Sequence, residues 1–163
     1  MKLNLLLAFS LIISGLMFTS CDDDDPVLET KTYNYEFSDS YAGTHADNLT
    51  ATMKVDEMEN GSTRITVELE NTMDGQTYNI HAHDAADPTT TPNMTPYIES
   101  PNGAIFANQI IGNGETASVS QVTEMSFTEL TSTYDGFFVV HDPLQAINTA
   151  DLTTYVIVAA FAR

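Results

Sequence analysis

The sequence has one cysteine, Cys21, and no tryptophan. A single thiol excludes any disulfide within the chain and any metal site built from paired cysteines, so packing alone must hold the fold. Basic residues are scarce as well: Lys and Arg total 5 against 23 Asp and Glu, a formal charge of −18 at pH 7. A surface this acidic excludes nucleic acid as a partner and repels anionic membranes and small anions. No Ser-His-Asp arrangement, phosphate-binding loop or basic patch with interleaved aromatics is present. No long segment keeps a helical apolar period, which leaves a mostly β chain.

The one long apolar run, "LNLLLAFSLIISGLMF", follows Lys2 at the start of the chain. It is too short and too poorly flanked for a membrane span and reads as an export signal over residues 1–20. "FTSC" places small residues directly before Cys21, as in a bacterial lipobox, which implies lipidation of Cys21 and a membrane anchor through that lipid. The acidic run "DDDDP" cannot collapse, so residues 21–31 are expected to form a solvated tether. Such a run after a lipidated cysteine resembles the surface-export signal of Bacteroidetes-type lipoproteins; an Asp there also resembles the retention mark of proteobacterial ones. The expected location is the bacterial outer membrane or cell surface, with the domain outside the cytoplasm. Loss of the signal removes Lys2 and leaves Lys31, Lys54, Arg64 and Arg163 as the cations.

Residues 32–163 have the length of a single domain with its own core. Apolar and polar residues alternate over short runs separated by Gly, Asn, Asp and Pro. In "STRITVELEN", Ile65, Val67 and Leu69 share one face and Arg64, Thr66, Glu68 and Glu70 the other, which predicts a half-buried strand. Asn60-Gly61 before it predicts a hairpin with "LTATMKVDE" as partner. "QTYNIHAHD" places Tyr78, Ile80 and Ala82 on one face and Asn79, His81 and His83 on the other. Pro88, Pro92, Pro96 and Pro101 make Ala85 to Asn102 a long loop. Further strands are expected around "GAIFANQI", "ETASVSQV", "MSFTEL" and "GFFVVHD". A last one, "TTYVIVAAFA", is apolar on both faces and so central or covered. Seven or eight short antiparallel strands predict an all-β Greek-key sandwich or barrel.

Four histidines are present: His45, His81, His83 and His141. Strand residues i and i+2 share a face, so His81 and His83 can offer two imidazoles to one ion, and "FFVVHDP" can bring His141 from a neighbouring strand. "ITVELENTMDGQTYNIHAHDAAD" resembles the copper/zinc superoxide dismutase segment in which His-x-His follows a strand and a glycine turn. "GFFVVHDPLQ" resembles that family's later Val-Val-His strand, and Ala150 to Arg163 align with its C-terminal strand. The same landmarks occur in the related CHRD domains, named from chordin. The resemblance implies a dismutase-like fold in which His81, His83 and His141 match three of four copper ligands.

The departures from that pattern are specific. No histidine lies between Asp84 and Val140, so the bridging ligand and the zinc site are missing. The family's disulfide is absent, and Thr153 stands where the dismutases carry the arginine that guides superoxide. Three imidazoles suit copper, and less well zinc, with a fourth position open to water, to Asp84, Asp87 or Asp142, or to His45. The sequence thus points to metal capture or delivery rather than enzymatic turnover. It leaves open a surface interaction or structural module without metal, and a degenerate copper-only dismutase. His45 reads as a surface residue before a ligand, and Asp74-Gly75 and Asp135-Gly136 read as turns. Asn48-Leu49-Thr50, Asn60-Gly61-Ser62 and Asn93-Met94-Thr95 fit the glycosylation pattern, which has little meaning in a bacterial lipoprotein.

Overall fold

A computed structural model of the chain describes residues 26–91, 94–149 and 151–163. The export signal, Cys21, the acidic run and Asn93 of the third glycosylation pattern lie outside the described residues. Among the described residues no helix is long and apolar enough to cross a membrane.

Eight strands form two four-stranded antiparallel sheets packed as a sandwich, open at the edges rather than closed into a barrel. One sheet has the order β1 (Val27–Tyr35), β2 (Thr50–Met58), β3 (Thr63–Glu70), β6 (Ala117–Thr123); the other has β5 (Ala107–Ile111), β4 (Thr77–Asp84), β7 (Gly136–His141), β8 (Tyr155–Ala160). The chain leaves β3 for the second sheet and returns beside it as β6, and β7 then lies beside β4, a Greek-key connectivity.

Alternation explains the core. Met53, Val55, Ile65, Val67 and Leu69 of one sheet meet Tyr78, Ile80, Ala82, Phe138 and Val140 of the other, all buried. Each large apolar side chain so buried contributes about 1.5–3 kcal/mol relative to exposure. The β2–β3 hairpin is the expected one: Gly61 takes φ +84°, and its N–H donates to the Met58 carbonyl at 2.9 Å. A side chain at Gly61 would be strained in that left-handed backbone.

Two local expectations are corrected, and a third is settled between its two alternatives. β1 starts at Val27, inside the stretch assigned to the tether, and pairs along β2 where no strand was expected. "MSFTEL" is not a strand: Phe127–Ser132 form helix α1, because Ser126 caps it by accepting from the Glu129 N–H at 3.3 Å, a Ser-x-x-Glu signal. β8, expected to be central or covered, is an edge strand that is covered over its first half, where Tyr155, Val156 and Ile157 are buried. A bulge there lets Val156 and Ile157 both enter the core while Tyr155 turns to the opposite side.

Candidate metal centre

β4 and β7 are the inner pair of their sheet, and the face they turn away from the core carries the three histidines. In the pairing of the two strands His81 lies opposite Val139 and His83 opposite Phe137. His141, two residues beyond Val139, is therefore a diagonal neighbour of His81. The ring centroids of His81 and His83 are 5.8 Å apart and those of His81 and His141 are 5.1 Å apart. One ring nitrogen from each of the three lies within 4.8 Å of the others. Two imidazole nitrogens bound at about 2.0–2.1 Å to one ion stand no more than about 4 Å apart, so ring movements of roughly an ångström complete a shared site.

This face was expected to be an outer one, and it is, but solvent does not cover it. The loop after β4 folds back along the strand. Ala86 donates to the Pro96 carbonyl, Ile98 to that of Asp84 and Asn102 to that of Ala82, at 2.9, 2.9 and 2.7 Å. The loop thus continues the sheet where β5 stops pairing at His81. It lays Tyr97 over the site, with Tyr97, Val139 and Tyr155 forming a small buried cluster. Tyr97 packs on His83 at 4.8 Å between ring centroids, and Tyr155 meets the ring of His141 edge-on at 4.4 Å. His83 and His141 are buried and His81 is half-buried.

Burial sets the protonation state. Removal from water, reinforced by the neighbouring imidazoles, pushes His81 and His141 down to about 4. Burial also lowers His83, against the opposing effect of its bond to the Ile98 carbonyl and of the Glu99 and Asp84 charges. All three rings are neutral at physiological pH, the form that binds a metal. The His83 Nδ1–H donates to the Ile98 carbonyl at 2.8 Å, which leaves its Nε2 as a bare lone pair. That Nε2, with Nδ1 of His81 and Nδ1 of His141, is buried without a hydrogen-bond partner among the described residues. Orphaned buried nitrogens are rare because each costs about 1–3 kcal/mol of desolvation, and three on adjacent rings fit a ligand set. The cluster could hold a metal ion.

The other predicted ligands are engaged elsewhere. Asp84 accepts from Asn102 Nδ2 at 2.7 Å and from the Tyr134 hydroxyl at 3.0 Å. Asp87 is exposed and caps a short 3-10 turn by accepting from the Thr89 N–H and hydroxyl. Asp142 is buried and accepts from the Tyr41 hydroxyl, the Leu144 N–H and Gln145 Nε2. His45 is neither a surface residue nor a ligand: it is buried, its Nδ1–H donates to the Ala46 carbonyl at 2.7 Å, and its Nε2 accepts from the Tyr78 hydroxyl at 2.8 Å.

Sequence reasoning missed Glu99. Both its carboxylate oxygens are buried without a hydrogen-bond partner among the described residues, as is the Tyr97 hydroxyl. Its charge acts on His83, Tyr97 and Tyr155, the groups that wall the site. A signal was available: Glu99 is the one acidic residue between Asp87 and Glu115.

Among the described residues no cation faces the histidines. Lys54 and Arg64 bind the buried Asp56, Arg163 binds Asp135, and Lys31 donates to the Thr131 hydroxyl at 3.2 Å. Thr153 is exposed and bonds Asp151. Comparison of the chain with family models, with curated proteins and with solved structures finds no match.

Proposed function

We propose that this is a lipid-anchored protein of the bacterial outer membrane or cell surface whose dismutase-like or CHRD-like sandwich binds copper or zinc through His81, His83 and His141. The ion is cargo, captured or delivered, and is not used for turnover. One observation carries the reading: three neutral imidazoles lie with ligand nitrogens within 4.8 Å of one another, and each has a buried nitrogen without a hydrogen-bond partner among the described residues. A fossil site whose histidines served only to hold the loop would have found partners for those nitrogens. His83 alone bonds the loop, and it does so with its other nitrogen. Imidazole donors favour copper and zinc over magnesium or calcium. The acidic surface, and a site with no cation among the described residues, argue against an anionic substrate such as superoxide.

The test is metal retention. Purified protein and the His81→Ala/His83→Ala/His141→Ala variant are loaded with Cu²⁺ or Zn²⁺, dialysed, and analysed for metal per chain. The expected result is about one ion per chain in the wild type and close to none in the variant. Equal, substoichiometric metal in both would remove the proposal, because the two share the same acidic surface.

A further inference from the structure

Resting on the metal-binding reading, we infer that Glu99 is the charge-balancing group beside the three-histidine cluster, a buried carboxylate outside the ligand set that offsets the charge of the ion and makes the site select a divalent over a monovalent cation. The geometry begins at the backbone. The Ile98 carbonyl holds His83 Nδ1, and Glu99 is the next residue, so the segment that fixes the ring's orientation also brings the carboxylate near enough for its charge to act on His83. The Ala85–Tyr97 bridge and the Ile98–Asp84 bond clamp this segment against the end of β4. Both oxygens of Glu99 are shielded from water and have no donor among the described residues. A carboxylate in that condition is a substantial liability unless a cation pairs with it. The cations among the described residues do not do so, because Lys31, Lys54, Arg64 and Arg163 are engaged elsewhere in the fold. A metal ion held by the three imidazoles can.

The consequence is selectivity by charge. Three neutral imidazoles bind a monovalent or a divalent ion without compensating its charge. A buried carboxylate interacts twice as strongly with a doubly charged ion as with a singly charged one. Glu99 therefore favours Zn²⁺ or Cu²⁺ over Cu⁺, and the loop that carries it docks more firmly when the ion is present.

Glu99→Gln keeps the shape and removes the charge. Affinities for Zn²⁺ and, under anaerobic reducing conditions, for Cu⁺ are measured by chelator competition in wild type and variant. The expected result is a roughly 10- to 100-fold loss for Zn²⁺ and a smaller loss for Cu⁺, about the square root of it, roughly 3- to 10-fold. Thermal melts of the metal-free proteins give a second readout: Glu99→Gln is expected to melt higher than wild type, since it removes an unpaired buried charge. Unchanged Zn²⁺ affinity, or equal losses for both ions, would overturn the role of Glu99 while leaving the histidine site standing. A wild type that binds neither ion would overturn the histidine site itself.

Discussion

His83 gives one ring nitrogen to the Ile98 carbonyl at 2.8 Å and keeps the other bare and buried. That division of labour joins the long loop to the candidate ligand set. The loop carbonyl fixes the tautomer, and the tautomer leaves Nε2 as an acceptor facing its neighbours.

The three histidines should lower the stability of the metal-free fold. His141→Leu removes an unsatisfied buried nitrogen and fills its space with apolar atoms beside Tyr155. The metal-free variant should be no less stable than wild type, or more stable by about 1 kcal/mol, which corresponds to roughly 3–5 °C in melting temperature. Metal retention should be lost at the same time. A variant that melts several degrees lower, with metal retained, would mean that His141 serves packing alone.

Acid should weaken the metal-free protein through these same rings. His81 and His141 are held down to about 4, whereas in the unfolded chain a histidine binds its proton near 6.5. Their folded pKa values are depressed, so the folded state takes up protons later than the unfolded state. Stability is fully present above about pH 6.5 and is lost as pH falls toward 4. Melting temperature measured across that window should fall in the wild type and fall less in the triple alanine variant. Parallel curves would show that other groups carry the acid sensitivity.

Asp142 follows a ligand in sequence but acts as a structural anchor. It accepts from Tyr41, Leu144 and Gln145, tying the end of β7 to the segment before β2. Asp142→Ala should cost about 2–3 kcal/mol by leaving buried donors unpaired, as read by chemical denaturation. Zinc per chain should stay at the wild-type level at temperatures where the variant is folded. Loss of zinc from a folded variant would make Asp142 part of the site.

Superoxide is not an expected substrate. With Thr153 at the guiding position and every described cation engaged away from the histidines, neither local nor long-range attraction draws an anion inward. Copper-loaded protein should therefore dismute superoxide no faster than an equal amount of copper released into buffer. A rate well above that control would restore the enzyme reading.

Much of this was legible in the sequence because it depends on strand alternation. Ile65, Val67, Leu69, Tyr78, Ile80 and Ala82 could be assigned to the core from period two alone, and the same rule put His81 and His83 on one face. Alternation cannot say what lies over a face. The burial of the histidines under Tyr97 comes from a proline-rich loop whose path is set by backbone bonds to β4, and nothing in its period announces them. For the same reason Glu99 passed unnoticed while Asp84, Asp87 and Asp142 drew attention merely by standing close to histidines in sequence. "MSFTEL" was misread because its apolar residues fit both periods over so short a run, while the deciding signal was the Ser126–Glu129 cap. β1 was lost to the acidic tether next to it, although Tyr33 and Tyr35 continue the alternation into the sheet.

The most direct measurement is the location of the ion. Crystals of the protein loaded with zinc should show, in anomalous difference density recorded across the zinc edge, one strong peak per chain. That peak should lie about 2.0–2.1 Å from a nitrogen of each of His81, His83 and His141. Peaks confined to surface carboxylates, with no density between the three rings, would contradict the metal site.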